Sequence, residues 1–582
     1  MRKIFLCFTF LSTLFIGENS FGCTNYIITK GASTDGSVMI SYSADSHTLY
    51  GELYYRPAMD YPAGALLQIY EWDTGKPLGK IKQVRHTYSV IGNMNEYQVA
   101  IGETTYGGRE ELVDTTAIMD YGSLIYVGLQ RSKTAREAIQ VISQLIEEYG
   151  YYSSGESFSI SDKNEAWIME IIGKGSPEIQ KDKKGKVIGK KYSKGAVWVA
   201  RQIPDGYISG HANQARITTF PIQQANDFSN LNQTCYHASD VISFARDKKY
   251  IPASLKDADF SFSDTYNPVN FHGARFCEIR VWSMFNDVNK DMSQYWNYVK
   301  GKVQIDTTSG YATNRMPLWI KPDRKISNKD MFKFMRNHLE GTELDMSKDF
   351  GAGPNALPYR WRPLTWKVND VEYCNERATA TQQTGFSFIA QSRSNYPDWI
   401  GGIFWFGVDD AASSVYTPMY CGITSIPKPF AEGNGKMLEY SETSAFWVFS
   451  RVSNFAYLRY DVIMTDVIKA QQELENKYID YTPAVDLAAQ SLYKTNPELA
   501  RSFITDYSVQ MGNNTFSKWQ ELSNYLLVKY IDGNVKKEKD GKFLYNGYTQ
   551  PASPSQPGYS ESWKIQVVED TKDKLKVEGE SH

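Results

Sequence analysis

The stretch that most limits what this chain can become is Cys23-Thr24-Asn25-Tyr26-Ile27-Ile28-Thr29, together with what stands before it. Met1-Arg2-Lys3 is a basic start, residues 4–16 are an apolar run, and Gly17-Glu18-Asn19 ends it. The run is too short to span a bilayer as a stable helix. Ser20 and Gly22 put small residues three and one before Cys23, as at the cut of a secretory signal. Removal of residues 1–22 would make Cys23 the first residue of a secreted, periplasmic or extracellular protein. A cysteine at a free N-terminus carries a nucleophilic thiol and an amine on adjacent carbons. The amine, with an ordinary pKa near 8, can take the thiol proton directly or through one water. No separate histidine is then needed. Two other readings stay open. Cys23 can be a small buried residue at a strand start. It can also be an acylated lipoprotein cysteine, although Ser20 stands where such signals usually carry an aliphatic residue. An acylated amine could not act as a base.

Composition narrows the function. The net charge is −3 over 582 residues, which points to neither nucleic acid nor an anionic membrane surface. Forty tyrosines and thirteen tryptophans suit clefts lined with aromatic rings. Five cysteines follow the signal, Cys23, Cys235, Cys277, Cys374 and Cys421, an odd number at irregular spacing and no disulfide framework. The chain has no His-Glu-x-x-His and no Cys-x-x-Cys, so neither a zinc hydrolase nor structural zinc is expected.

Along the chain, residues 26–29 and 38–43 read as two strands joined by Asp35-Gly36 turn chemistry, a hairpin that begins at the cysteine. Residues 98–105, 157–160, 166–172 and 196–203 read as further strands, with a charged turn at 181–186. Residues 134–149 predict a helix whose Ala135, Ala138, Ile139, Ile142, Leu145 and Ile146 share one face, capped by Thr134 and Glu137. A second helix is expected over 327–339 with a Ser327/Asp330 cap. Residues 386–390 and 403–407 are strand-like. From 460 to 530 the chain reads as helical, broken at Pro483, Pro497 and Gly512. Residues 536–582 read as an extended arm and frayed tail. This order predicts an α+β layered sandwich of sheets with helices outside.

Several stretches, taken in order, resemble one family. They include Cys23-Thr24 with Ser33-Thr34-Asp35-Gly36, Gly102-Glu103-Thr104, Ala212-Asn213-Gln214-Ala215-Arg216, Arg280-Val281-Trp282, His338-Leu339-Glu340-Gly341 and Gly401-Gly402-Ile403-Phe404-Trp405. Together they resemble the dipeptidases of the N-terminal nucleophile (Ntn) hydrolases, the group of bacterial dipeptidase A and the secernins. The resemblance covers roughly residues 23–455. It implies an αββα Ntn-hydrolase sandwich, here with a helical C-terminal extension over 456–535, and cleavage of dipeptides with no cofactor and no metal. Penicillin V acylases and bile salt hydrolases share the same catalytic plan, so acylase activity is the alternative.

The resemblance also assigns roles. Cys23 is the nucleophile. Asp45 would contact its amine, although an aspartate at a strand end also reads as a cap. Relatives often have an arginine where this chain has Tyr42. Asn213 would donate its amide to the oxyanion, with a backbone N–H near Thr104 and Thr105 as second donor. Arg280 would hold the thiolate or a substrate carboxylate, with Arg275 as its substitute. His338 reads as a helix cap and Asp409-Asp410 as an Asx-turn loop. The segments between Gly401 and Trp447 would wall the cleft, and Asp45 or Glu103 would take a substrate ammonium.

Overall fold

The computed structural model describes residues 22–222 and 225–577; the signal expected at 1–22 lies outside them except for Gly22. The first hairpin forms as its turn predicts. Strand Asn25–Ile28 pairs antiparallel with Val38–Asp45, Ile27 opposite Ile40. Gly36 at the turn has φ 75°, the left-handed region where a Cβ would strain the backbone.

This hairpin lies inside a seven-stranded sheet. Its order is Trp319–Ile320, Ile208–His211, Asn25–Ile28, Val38–Asp45, Thr384–Ser392, Gly402–Val408 and Thr417–Tyr420. A second, eight-stranded sheet runs Cys235–His237, Ala196–Gln202, Ala166–Gly173, Gly155–Ser161 and Ala100–Gly107, then three two-residue strands. The pairings in both sheets are antiparallel. The sheets meet where Val38–Asp45 packs on Ala100–Gly107 and Gly155–Ser161. Every residue of the central strands Val38–Asp45, Gly155–Ser161 and Ala166–Gly173 is buried, so both faces of these strands are covered. That explains apolar and small residues at successive positions instead of strict alternation.

Helices Tyr121–Arg131 and Ala135–Tyr149 lie against the second sheet. Thr134 accepts the Glu137 N–H at 3.2 Å, as its cap position predicts. The Glu137 carboxylate takes the N–H of Lys133 at 2.7 Å, one residue before the cap. Helices Ile279–Val288, Asn328–Met335 and Ala445–Ala456 lie against the first sheet. The Ser327/Asp330 capping box is complete, but this helix ends at Met335 and not at 339. Side chains divert the backbone there: Glu340 accepts the His338 N–H at 2.8 Å and Asn337 the Leu339 N–H at 2.9 Å. These local bonds compete with the helical ladder.

Two long helices, Tyr460–Thr495 and Pro497–Tyr530, follow. Of the three breaks expected, only Pro497 separates helices; it stands at the first helical position behind the Asn496 cap, where its missing N–H costs nothing. Pro483 and Gly512 lie within helices. Gly512 is there for close approach, since a Cβ would sit 2.2 Å from Pro427. The second long helix covers the terminal strand Thr417–Tyr420. Its Ser508 hydroxyl accepts the Tyr420 N–H at 3.1 Å and Thr505 accepts the Thr424 N–H at 3.1 Å. Beyond 536 the expected frayed arm instead holds a ribbon, Glu538–Lys539 with Lys542–Phe543, and helix Glu561–Thr571. Trp563 of that helix stacks on Phe350 at 5.4 Å. No helix among the described residues is long and apolar enough to cross a membrane.

Candidate active site

Cys23 precedes the first strand and is 5% exposed. The chain enters it alongside the end of strand Val38–Asp45: the Gly22 N–H donates to Asp45 O at 3.0 Å, and Ser43 N–H to Thr24 O at 3.0 Å. Gly22 has no room for a side chain, because a Cβ would lie 2.6 Å from the Arg377 guanidinium. The small residue before Cys23 therefore has a packing reason.

Cys23 lines a cavity of about 600 Å³. Glu103 Oε1 is 3.5 Å from Sγ and Tyr42 Oη 3.7 Å, and the Tyr42 hydroxyl donates to the same Glu103 oxygen. Burial pushes the Cys23 thiol well above its ordinary pKa, and the negative charges of Glu103 and Asp45 add to this. Hydrogen bonds from the Asp45 backbone and Tyr42 only partly oppose it. The thiol is thus protonated at rest, and attack needs a proton acceptor. Tyr42 supplies a hydroxyl and no cation at this place.

Asp45 is buried and ion-paired: Oδ2 lies 2.5 Å from Arg377 Nη2, and Oδ1 accepts from Thr384 Oγ1 at 2.7 Å. Arg377 also donates to the carbonyl of Gly22, the carbonyl joined to the Cys23 nitrogen. Arg377 was not legible in the sequence; it lies more than three hundred residues from Cys23 within no recognisable motif.

Arg280 is 1% exposed and does not line the cavity. It leaves a π-helical turn, Gly273–Glu278, at the start of helix Ile279–Val288. Its guanidinium donates to Cys23 O at 2.6 Å, Thr24 Oγ1 at 2.8 Å, Ala212 O at 3.2 Å and Asn213 Oδ1 at 2.8 Å. It therefore grips the backbone at Cys23, and touches neither the Cys23 sulfur nor the cavity. Arg275, the substitute, is paired with Glu376 at 2.5 Å. Asn213 has φ 58°, a left-handed conformation that asparagine tolerates, and gives one amide hydrogen to Thr105 O at 2.6 Å. It meets the site through Arg280 and Thr105 and is not among the cavity-lining residues.

The two threonines separate. Thr105 lines the cavity, its hydroxyl donating to Glu156 Oε2 at 2.9 Å. Thr104 points to the other face of its strand and bonds His211 Nδ1 at 2.7 Å. Burial, with Arg216 nearby, pushes His211 down to about 3, so it is neutral. His338 bonds Glu340 and Tyr359, and Asp410 closes an Asx turn on the Ala412 N–H; neither residue lines the cavity.

The walls also differ from expectation. No residue between 401 and 447 lines the cavity. Strand Gly402–Val408 is buried inside the first sheet instead. The walls come from residues 42–130 with Phe386 and carry eight aromatic side chains, Tyr121 and Tyr126 among them; Tyr54 meets Trp72 edge-on at 5.1 Å. Trp72 is fixed by its N–H to Asp120 Oδ2 at 2.7 Å. Arg56, the only cation among the lining residues, is tied to Glu432 at the rim. These walls were missed because short strands and turns carry little periodic signal.

The model of peptidase family C69 matches residues 22–473. Probable dipeptidase B of Streptococcus pyogenes serotype M1 is 22% identical over 541 residues, covering 89% of this chain and 94% of that protein. Probable dipeptidase B of Lactococcus lactis subsp. lactis is 21% identical over 524 residues, 84% of this chain and 96% of that one. A probable dipeptidase of Salmonella dublin is 24% identical over 422 residues, 69% and 81% of the two chains.

Proposed function

The chain belongs to peptidase family C69, and from that premise we propose that it is a secreted dipeptidase acting through Cys23 as an N-terminal nucleophile. The fold reading that goes with it is the αββα Ntn-hydrolase sandwich, supported by two sheets in contact with helices packed on each. In this reading residues 1–22 are removed and Cys23 gains a free amine. The amide nitrogen that joins Gly22 to Cys23 has no basicity, so the cut is what creates the base.

The α-amine takes the thiol proton as sulfur attacks the scissile carbonyl. Asn213 has one amide hydrogen left after its bond to Thr105 O, and the reading gives it to the oxyanion. The C–N bond breaks as the amine returns the proton to the leaving group, which departs as a free amino acid. Water then hydrolyses the thioester and restores the thiol. Arg280 fixes the Cys23 carbonyl throughout, and Asp45 with Arg377 borders the place of the new amine.

The observation that carries the dipeptide reading is Glu103 at 3.5 Å from the sulfur. In an unblocked dipeptide the α-ammonium is two bonds from the scissile carbonyl carbon, so it must come to rest close to the nucleophile. A carboxylate beside the sulfur meets that requirement. An acylated amine would leave this carboxylate buried without its ion pair, a penalty of about 1–3 kcal/mol. The test is a panel of dipeptides, matching tripeptides, N-acetyl dipeptides, penicillin V and a conjugated bile acid, with intact mass of the mature protein. Dipeptides should be cleaved fastest, and the mature chain should begin at Cys23 with an unmodified amine. Faster cleavage of penicillin V or the bile acid would replace this reading with an acylase, and an acylated Cys23 would replace it with a lipoprotein.

A further inference from the structure

Behind the nucleophile lies a second carboxyl group that the reaction above does not use. Glu103 and Glu156 come from adjacent antiparallel strands, in which Thr105 stands opposite Glu156 and Glu103 opposite Phe158. Residues 103, 105, 156 and 158 therefore share one face, and the two acids are diagonal neighbours. Both are buried, 2% and 0% exposed. Glu103 lines the cavity and Glu156 stands behind it.

The four oxygens have unequal partners. Glu103 Oε1 accepts from the Tyr42 hydroxyl, with the thiol 3.5 Å away. Glu156 Oε2 accepts from Thr105 Oγ1 at 2.9 Å. Glu103 Oε2 and Glu156 Oε1 receive no donor from any other group among the described residues. Two ionised carboxylates facing each other would leave both of these atoms bare and place like charges in contact in a buried site. One proton between them satisfies both atoms at once.

Other groups offer no alternative compensation. Cys23 and Tyr42 face Glu103 from the first sheet, Tyr121 from its helix and Asp73 from the turn beyond strand Leu66–Tyr70. These are acids or neutral groups. Arg56 is engaged at the rim.

We infer that Glu103 and Glu156 share a single proton and together form a singly charged receptor for the α-ammonium group of the substrate, with Glu156 as the positioning residue. The receptor role rests on the dipeptide reading above; the shared proton does not. Burial raises both carboxyl groups, Glu156 the more strongly, and the hydrogen bond between them lowers Glu103. Glu103 Oε1 receives the Tyr42 hydroxyl, has the thiol 3.5 Å away and lines the cavity, whereas Glu156 receives Thr105 alone, so the charge rests on Glu103 and the proton on Glu156. The same arrangement keeps one negative charge, and not two, beside a thiol that must lose its proton.

Two measurements test the two halves. Infrared difference spectra of the mature protein at neutral pH, wild type against Glu156→Gln, should show a protonated carboxyl C=O band that the variant lacks. Glu170 and Asp409, each pushed up to about 7 by burial, contribute to both proteins and cancel. Identical spectra in that region overturn the shared proton whatever the enzyme cleaves. The second measurement is calorimetric binding of an unblocked dipeptide to the Cys23→Ala protein across pH. Adding Glu103→Gln should weaken binding about tenfold or more. Adding Glu156→Val, which removes the donor, should move the acid limb of binding upward by about one pH unit. Adding Glu156→Gln, which keeps a donor, should leave that limb in place. Equal movement in both Glu156 variants, or in neither, overturns the positioning role. Unchanged affinity in Glu103→Gln overturns the receptor while the spectra still decide the proton. Failure of the wild type to cleave any dipeptide would refute the functional reading alone.

Discussion

On one side of Cys23 lies Arg280 and on the other Glu103, buried alike and satisfied differently. Among the described residues Arg280 has no carboxylate partner; its guanidinium donates to five neutral oxygens, those of Phe276, Cys23, Thr24, Ala212 and Asn213. Glu103 has no cationic partner among the described residues; it is held by Tyr42, the Cys23 thiol and a second acid. The positive side is saturated with dipoles that belong to the fold, so it works as a brace. The negative side is left one counter-charge short, toward a cavity. A buried charge fully met by protein dipoles serves structure, whereas one left incomplete by the protein is completed by what binds.

The comparison can be broken at its centre first. Cys23→Ala removes one sulfur and keeps both flanks, so turnover should fall by at least about 10⁴-fold. Its urea midpoint should stay near that of wild type, since Cβ remains. Retained hydrolysis would show that the two flanks do not serve this thiol.

Breaking the positive flank should next cost stability. Arg280→Met strips donors from four buried acceptors and the half-buried Asn213 oxygen, and we expect a loss of about 3–5 kcal/mol by urea unfolding. Arg280→Lys should lose less, because an ammonium still reaches some of the carbonyls. A Met variant as stable as wild type would mean that Arg280 braces nothing. Asn213→Ala, one bond farther out, should lower kcat by about 10²–10³ with KM little changed. A rise confined to KM would move Asn213 from oxyanion contact to substrate binding.

The smallest effect concerns the negative flank. Glu156 holds its proton more tightly in the folded protein than its ordinary value of 4.5. Such a group adds stability below that value and loses it as pH rises toward its folded pKa. Glu156→Gln has no proton to lose. Its stability relative to wild type should therefore grow with pH above about 4.5, followed as urea midpoints across a pH series. A constant difference would show that Glu156 ionises as freely folded as unfolded.

What the sequence disclosed divides along the same line. The hairpin at Asp35-Gly36 and the helix behind Thr134 were legible because turn chemistry and a 3.6-residue period are local signals. Asp45, Asn213 and Arg280 were found only through motif order, and their partners could not be. That Arg280 holds a carbonyl depends on a π-helical turn and a strand brought together from 257 residues apart. Arg377 and Glu156 had no signal at all, since an arginine outside any motif and a glutamate in a strand are common. The helical pattern over 327–339 overstates helix Asn328–Met335 because side-chain bonds at 337–340 outcompete it.

One feature away from the site bears on how this protein can be handled. Strand Thr417–Tyr420 ends the first sheet, and helix Pro497–Tyr530 seals it with the hydroxyls of Thr505 and Ser508 and with the bare face of Gly512. The family match stops at residue 473, inside helix Tyr460–Thr495. A chain cut there would keep every residue that touches Cys23 yet present an unzipped β-edge to its neighbours, the geometry from which sheets recruit foreign strands. Helix Pro497–Tyr530 is thus a selvedge: none of its residues lines the cavity, and it closes the free edge of the sheet that holds the hairpin after Cys23.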